Sequence, residues 1–163
     1  MTGHLVFSTI HTNDAASTFT RLVDMGIEPY LVASTLQGVL AQRLVRRLCP
    51  HCRVRFNPQH DQLPEDCQLP TGHQLWKAGG CRECRGSGYN GRIAIFELLM
   101  TSSRIRSLCM QRADAAEIRD EAVRQGMQSL RQNGWQRVLA GETSLEELIR
   151  VCPLESEDDS SGS

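Results

Sequence analysis

The apolar residues of this chain follow two spacings, and the first of them predicts β-strands. Residues 4–9 form a short apolar run with the composition of a strand buried on both faces. Residues 39–48 and 91–100 have the β-prone patterns expected of two further strands. Because a buried parallel strand needs neighbouring strands and covering helices, the sequence predicts an α/β fold with an earlier βα region preceding residue 1.

The second spacing predicts helices. Residues 13–25 carry apolar side chains at helical intervals, with Asn13 or Asp14 as the N-cap and Gly26 where the helix should end. A short helix over residues 29–34 follows, because its first residue is a proline, which suits a first helical turn. The chain therefore places two helices directly after its first predicted strand.

Helices also fill the last third of the chain. Asp114 with Glu117 and Thr143 with Glu146 have the spacing of capping boxes, in which first-turn side chains bind free backbone amides. Two glycines fall where such helices should end. The acidic, serine-rich residues 154–163 have no apolar surface to bury, so a disordered tail is predicted.

Two Cys-x-x-Cys pairs, Cys49 with Cys52 and Cys81 with Cys84, flank a segment that separates two predicted strands. That segment, residues 53–80, is rich in proline and glycine and is predicted to be an irregular excursion. The pairs supply four thiolates, the set that holds zinc in a closed tetrahedral site at about 2.3 Å per bond. Since a closed site leaves no position for a reacting water, the predicted role of the zinc is structural.

Other roles of the cysteines stay open. A redox dithiol needs only one pair in a thioredoxin-like context, and unpaired structural thiols are the second alternative. A histidine could also replace a cysteine ligand: His51 within the first pair, or His60 or His73 in the loop. The remaining cysteines have no partner nearby in sequence, and buried neutral thiols are predicted for them: Cys67, Cys109 and Cys152.

Composition narrows the classes of function. The 163 residues carry a formal net charge of −1, so no domain-wide basic field for nucleic acid exists. A zinc ribbon for nucleic acid would depend on one local group: Arg43, Arg46, Arg47, Arg53 and Arg55. No apolar run approaches the ~20 residues that span a bilayer. The odd number of cysteines, 7, argues against a disulfide framework and predicts metal binding in a reducing, cytoplasmic compartment.

The residues after the first predicted strand form a second informative group. The run Ser8-Thr9-Ile-His11-Thr-Asn places hydroxyls and an imidazole at the carboxyl end of a strand, where open α/β sheets bind ligands. An ordinary capping turn, with His11 bonded to a neighbouring loop, explains the same residues. The pattern alone leaves both interpretations open.

The segment around His11 resembles the His box of the secretion ATPases that drive type II secretion and type IV pilus assembly. Three further blocks follow in the order found in that family: residues 21–30, residues 41–52, and the second cysteine pair with residues 88–98. The similarity covers residues 2–150. The chain is therefore identified as a member of this family by resemblance.

The resemblance implies the fold and a division into four regions. The fold class is α/β: the C-terminal part of a RecA-like ATPase core, with an inserted four-cysteine zinc lobe and a C-terminal helical subdomain. The end of the core covers residues 1–48, and the metal-binding lobe covers 49–90. A strand with the helical subdomain covers 91–153, and the disordered tail covers 154–163.

The resemblance also implies a function, which is to form part of a hexameric ATPase that powers type II secretion by assembling a pseudopilus. Its cofactors would be zinc, with ATP and Mg²⁺ in the full-length protein. The partners would be further copies in the hexamer and inner-membrane platform proteins, without nucleic acid and with membrane association only through those partners. The location would be the cytoplasmic face of the bacterial inner membrane.

Two alternatives accompany this function. One is a type IV pilus extension ATPase, and the other is a non-enzymatic, zinc-dependent module that binds a membrane platform. The sequence contains no Gly-x-x-x-x-Gly-Lys-[Ser/Thr] phosphate-binding loop and begins where the Walker B region of the family should end. The chain is therefore expected to be a fragment that is inactive by itself.

The resemblance makes His11 and His4 the candidate catalytic residues. Seven residues of extended chain span about 23 Å, so both side chains cannot reach one γ-phosphate from opposite ends of a straight strand. His11 is the better candidate for sensing the γ-phosphate and passing the change to the next subunit. His4 would instead orient the Walker B segment or face a neighbouring subunit.

Overall fold

The computed structural model describes residues 3–59 and 63–154, which form an α/β structure with six helices and four strands. Most of the predicted tail, residues 155–163, lies outside the described residues. The elements in chain order are α1 Ser17–Asp24, α2 Pro29–Thr35, β1 Gly38–Leu48, β2 Val54–Phe56, β3 Leu75–Lys77, β4 Tyr89–Met100, α3 Ser103–Met110, α4 Ala115–Arg124, α5 Leu130–Leu139 and α6 Leu145–Val151.

The two long strands, β1 and β4, pair with each other in a two-stranded sheet. Beside the start of β1, the amide of Thr101 donates to the carbonyl of Gln37 at 3.0 Å. Beyond its end, the amide of Cys49 donates to the carbonyl of Gly88 at 2.9 Å. The strands therefore run antiparallel, and both long strands predicted from the sequence are confirmed.

The segment between the long strands contains a second two-stranded sheet. Strands β2 and β3 pair antiparallel, with Arg55 opposite Trp76 and Phe56 opposite Leu75. The prediction that residues 53–80 are irregular throughout is therefore wrong for these six positions. Leu75 is fully buried, so a core contact keeps this short hairpin in place despite the surrounding prolines.

One compact unit comprises Met1–Ala41 and Glu97–Gln128. Helices α1 to α4 surround its core, because each contributes apolar side chains from one face. The most buried large residues of this core are Phe19, Leu99, Ile105 and Ile118. The order of α1 and α2 agrees with the helices predicted after the first apolar run.

The apolar run at the start of this unit does not form the predicted strand. Residues 3–12 have no regular secondary structure, and the exposed fractions of Leu5, Val6 and Phe7 are 72, 78 and 89%. A strand exists only where neighbouring backbone groups accept its hydrogen bonds. None of the described strands pairs with this segment, so its β-prone composition does not produce a strand.

A second compact unit comprises Gln42–Phe96 and Ser129–Ser163. Its core contains Leu75 from β3, Val138 from α5 and Leu148 from α6, all fully buried. Gly134 allows the last two helices to approach closely, because a Cβ there would lie 2.4 Å from Cδ1 of Leu148. The predicted division of the chain into four regions is not tested by these two units and stays a prediction.

Asp114 is confirmed as an N-cap, whereas the N-cap of α1 is Ala16 and not the predicted Asn13 or Asp14. The carboxylate of Asp14 accepts a hydrogen bond from the amide of Ser17 at 2.7 Å, although Ala16 occupies the N-cap position of α1. Asp114 caps α4 by accepting from the amide of Glu117 at 2.8 Å. These contacts satisfy amides that have no partner within the helix.

The cap of α6 lies one residue later than predicted. Ser144, not Thr143, accepts from a first-turn amide, and the donor is Glu147 rather than Glu146. The hydroxyl of Thr143 instead donates to the carbonyl of Arg46 at 2.8 Å. Two adjacent hydroxyls can each cap a helix, and a tertiary contact decides between them. None of the helices within residues 3–59 and 63–154 has the length and apolar composition of a membrane-spanning segment.

We predict that Gly141→Ala destabilises the second unit by about 2–4 kcal/mol, because strain at a left-handed φ adds to a steric clash. Gly141 has a φ of +68°, and a Cβ there would lie 2.4 Å from Cδ1 of Trp76. The ring has little room to move, since the guanidinium of Arg53 lies 4.3 Å from its centroid. Urea unfolding followed by tryptophan fluorescence measures the effect, because both tryptophans belong to this unit.

Gly91→Ala is the matched control for this prediction. Gly91 also has a positive φ, +75°, but no heavy atom lies within 4 Å of its Cβ position. Only the backbone strain of about 1–2 kcal/mol should remain in this variant. Equal losses of stability in the two variants would contradict a steric role for Trp76.

Candidate metal centre

The pairing of the long strands brings the two cysteine pairs together. Cys49 directly follows β1, and Cys84 lies five residues before the start of β4. The hydrogen bond from the amide of Cys49 to the carbonyl of Gly88 joins the two chain segments at this end of the sheet. The two pairs, predicted to flank the segment between two strands, therefore lie beside each other at one end of the paired strands.

The four sulfur atoms have the spacing of a tetrahedral site. All four Sγ atoms, from Cys49, Cys52, Cys81 and Cys84, lie within 4.8 Å of one another. The Sγ–Sγ distance is 3.9 Å between Cys49 and Cys81, and 3.7 Å both between Cys52 and Cys84 and between Cys81 and Cys84. Bonds of about 2.3 Å to a central zinc require sulfur–sulfur edges of about 3.8 Å. The donor set therefore fits zinc in both chemistry and size.

Glycines allow the backbone to fold tightly around these sulfurs. A Cβ at Gly79 would lie 2.1 Å from the carbonyl oxygen of Cys52, so only glycine fits beside the first pair. Gly88 has a φ of +75°, and a Cβ there would lie 2.6 Å from that of Ala78. The loop flanking the second pair thus depends on side chains being absent at defined positions.

Backbone amides point at one of the thiols. The amides of Cys81 and Gly88 donate to Sγ of Cys84 at 3.3 and 3.1 Å. The amide of Cys81, followed by that of Gly88, lowers the pKa of Cys84 to about 6. Burial, followed by hydrogen bonds with the other thiols, raises the pKa of Cys52 to about 12. Cys84 therefore becomes a thiolate, the form that binds metal, at a lower pH than Cys52.

The histidines considered as replacement ligands have other surroundings. His51 is exposed and is not part of the sulfur cluster. Nε2 of His73 lies 3.0 Å from the carbonyl oxygen of Leu139, a hydrogen-bond partner on α5. His60 lies outside the described residues.

The other three cysteines are separate from this cluster. Cys67 and Cys109 are buried, and Cys152 is half-buried. Burial raises the pKa of both buried thiols, to about 11 for Cys67. Neutral thiols are the expected state at neutral pH for these two residues, as predicted from the sequence.

An ion-paired glutamate anchors β1 shortly before the first cysteine pair. The side chain of Glu147 is fully buried and accepts from the amide and Nε of Arg46, both at 2.9 Å. Nη2 of Arg150 donates to the same carboxylate at 2.7 Å. Burial would raise the pKa of Glu147, but the bonds from Arg150 and Arg46 overcome it and hold the pKa at about 2. Sequence reasoning missed this contact, because no local pattern links residues so far apart.

Three of the five arginines considered for nucleic-acid binding contact aromatic rings of the same unit. The guanidinium of Arg46 lies 4.0 Å from the ring centroid of Tyr89. The guanidinium groups of Arg53 and Arg55 lie 4.3 and 4.7 Å from the ring centroid of Trp76. Through these cation–π contacts, the three arginine side chains pack against aromatic rings of their own chain.

The two candidate histidines and the four clustered cysteines belong to different compact units of the chain. His4 and His11 belong to the first unit, whereas all four clustered cysteines belong to the second. Both imidazoles are exposed, in the irregular segment that precedes α1. Their assignment as catalytic residues stays a prediction.

The sequence profile of the family described as "Type II/IV secretion system protein" matches residues 1–150. The chain belongs to this family. The resemblance seen in the His-box and cysteine segments is thereby confirmed.

Some relatives in the family are named type IV pilus assembly ATPases, and others are named type II secretion system proteins. The chain is 47% identical over 157 residues to the type IV pilus assembly ATPase TfpB of Acinetobacter baylyi. This alignment covers 94% of the present chain and 27% of TfpB. It is 48% identical over 151 residues to the type II secretion system protein HxcR of Pseudomonas aeruginosa. This alignment covers 93% of the present chain and 29% of HxcR. It is 45% identical over 153 residues to the type IV pilus assembly ATPase PilB of Thermus thermophilus. This alignment covers 91% of the present chain and 17% of PilB. The chain thus spans less than a third of the length of each of these relatives.

We predict that Glu147→Gln lowers the free energy of unfolding at pH 7 by about 3 kcal/mol, because it removes the charge of a fully buried carboxylate that two partly exposed arginines stabilise. The folded-state pKa of Glu147 is lowered, so its stabilisation is present above the ordinary value near 4.5 and lost as pH falls towards about 2. The difference between variant and wild type should therefore shrink across this window. Urea unfolding at several pH values measures it.

Glu146→Gln provides the control for this prediction. Glu146 neighbours Glu147 in the first turn of α6 and loses the same charge, but its side chain is exposed. Its effect on stability should stay within about 0.5 kcal/mol. The assignment would fail if the two variants showed the same loss and the same dependence on pH.

Proposed function

We propose that this chain is the zinc-stabilised, C-terminal part of a hexameric secretion ATPase that assembles a pseudopilus in type II secretion. Family membership and the tetrahedral spacing of the four sulfurs carry this proposal. Extension of a type IV pilus is the alternative within the family, supported by the 47% identity to a pilus assembly ATPase. The proposed location is the cytoplasmic face of the inner membrane, with platform proteins as partners and no nucleic acid.

The exposed apolar segment at residues 4–10 supports the RecA-like part of the proposal. Leu5, Val6 and Phe7 present apolar surface that a soluble ATPase core would bury. In the complete sheet of such a core, flanking strands would accept the hydrogen bonds that this segment now lacks. We propose the same four regions as above: the end of the core over 1–48, the zinc lobe over 49–90, the helical subdomain over 91–153 and a tail.

Zinc would act in this protein as a crosslink rather than as a catalyst. Cys49, Cys52, Cys81 and Cys84 would occupy all four positions of its tetrahedron, leaving none for water or substrate. The crosslink would join the ends of β1 and β4 and shorten the free loop between them. Its binding free energy would then contribute to the folding of this lobe.

Within the proposed ATPase, His11 and His4 would act on nucleotide held by other regions. Hydrolysis of ATP with Mg²⁺ depends on positioning and on stabilising charge at the transferred phosphoryl group. The exposed imidazole of His11 is available to detect the γ-phosphate and to pass the change to a neighbouring subunit. His4 would orient the Walker B segment or face that neighbour.

A second candidate is a zinc-dependent interaction module without enzymatic activity. The sequence lacks the phosphate-binding loop pattern, while the sulfur cluster provides a stable scaffold for docking. A platform protein of the inner membrane would be the partner. Both candidates require zinc, and neither places a nucleotide site in the 163-residue chain, so ATP hydrolysis by the full-length protein distinguishes between them.

We predict one bound zinc per chain, with Cys84→Ser releasing the metal. Because the metal holds the lobe together, hydrogen exchange should accelerate over residues 49–90 more than in α5 and α6. Elemental analysis and exchange mass spectrometry measure the two effects. Cys67→Ser is the control, since this thiol is buried in the same unit outside the sulfur cluster and should leave the zinc content unchanged.

Two outcomes would contradict the zinc assignment. The first is a metal-free wild-type preparation whose loop is as protected as the helices. The second is a disulfide within either Cys-x-x-Cys pair in protein purified under reducing conditions.

We predict that the 163-residue chain does not bind Mg-ATP with micromolar affinity. The backbone amides and the lysine of a phosphate-binding loop, which hold the β- and γ-phosphates, are absent from its sequence. Isothermal titration calorimetry should give the same null result for wild type and for His11→Ala. Micromolar binding by the wild type would place the nucleotide site within this chain.

A further inference from the structure

The turn that follows His11 is bound by a side chain from a helix far along the chain. Nη2 of Arg119, on α4, donates to Oδ2 of Asp14 at 2.5 Å. Oδ1 of the same carboxylate accepts from the amide of Ser17, the first residue of α1, at 2.7 Å. One carboxylate therefore joins the turn, the start of α1 and the middle of α4.

The strand β4 binds the same turn from another position. Glu97, only 3% exposed, accepts a hydrogen bond from the amide of Ala15 at 2.9 Å. The hydroxyl of Thr12 donates to the carbonyl of Asp14 and lies 3.0 Å from the hydroxyl of the buried Thr18. The backbone between His11 and α1 is thus held by groups that are largely shielded from water.

Shielding makes the Arg119–Asp14 pair stronger than an ordinary surface pair. Their side chains are 28% and 14% exposed. Exposed ion pairs contribute little, because water and salt screen them, whereas partly buried pairs with direct hydrogen bonds are screened less. The pair therefore attaches the turn to α4 more firmly than an exposed ion pair would.

We propose that Arg119 is a positioning residue for His11. Through Asp14, it sets the conformation of residues 11–15 and couples the orientation of the His11 imidazole to the position of α4. The structural coupling stands on the contacts within the first unit alone. Its consequence for ATP chemistry, in which α4 would respond to the state of the nucleotide, rests on the function proposed above.

The decisive experiment compares Arg119→Gln with Arg124→Gln in the zinc-loaded 163-residue chain. Arg124 lies on the same helix and loses the same charge, but it is 70% exposed and pairs with Glu121 of its own helix. The readouts are the NMR resonance of the His11 imidazole and amide exchange at Ala15 and Ser17. Neither readout requires nucleotide, so a failure of this proposal is distinguishable from a failure of the proposed ATPase.

Arg119→Gln should move the His11 resonance towards its value in an unstructured peptide. It should accelerate exchange at the two amides by at least about tenfold, as expected for loss of a hydrogen bond between charged groups. Arg119→Lys should restore part of both effects, and Arg124→Gln should produce neither. Unchanged His11 and Ser17 signals in Arg119→Gln, or acceleration spread evenly over the first unit, would overturn the proposal.

Asp14→Asn provides an independent variant, because asparagine keeps an oxygen for the Ser17 amide but loses the charge that binds Arg119. If the two side chains act as one unit, the double variant should show the same His11 resonance as either single variant. Strictly additive shifts would mean that Arg119 acts on the turn by another route, and the proposal would be wrong.

Discussion

The antiparallel pairing of β1 with β4 is the constraint on which the other features of this chain depend. It places residues that are far apart in sequence at the same end of a sheet, which is how Cys49 comes to lie beside the second cysteine pair. The segment between the strands is then a closed loop whose ends are already joined. Because the strands have already brought the ends of the loop together, binding a metal there costs little additional chain entropy. The length of the loop adds little to this cost, since the entropy of loop closure grows only slowly with length.

The contacts around this end of the sheet show how polar groups are used once the strands have paired. Glu147 is buried with two arginine partners, and its carboxylate also accepts from the backbone amide of Arg46. Trp76 fills the space left by the missing side chain of Gly141. Glu147 thus binds the start of α6 to β1, whereas Trp76 packs the connection between α5 and α6 against β3 of the smaller sheet.

The first unit uses acidic side chains in a comparable way, but at the turn that precedes α1. Asp14 and Glu97 bind backbone amides at the start of the helix, and Arg119 compensates the charge of Asp14. The turn is well defined even though the ten residues before it have no regular structure. The unit therefore contains an ordered attachment point for a segment that has no strand partner among the described residues.

Local patterns were enough to determine the family, the strands at 39–48 and 91–100, the order of the helices and the cap at Asp114, because each depends on residues close together in the chain. The cysteine spacing likewise predicted a four-thiol cluster, since two Cys-x-x-Cys pairs supply the ligand set of a tetrahedral zinc site. The pairing of β1 with β4 is what brings the two pairs together. Tertiary structure decided what those patterns left open. It placed the cap of α6 at Ser144 rather than Thr143, because a hydroxyl bonded to Arg46 was no longer available. It left residues 4–9 outside any sheet and paired Asp14 with Arg119, because hydrogen-bond partners across more than a hundred residues are chosen by packing and not by neighbouring sequence.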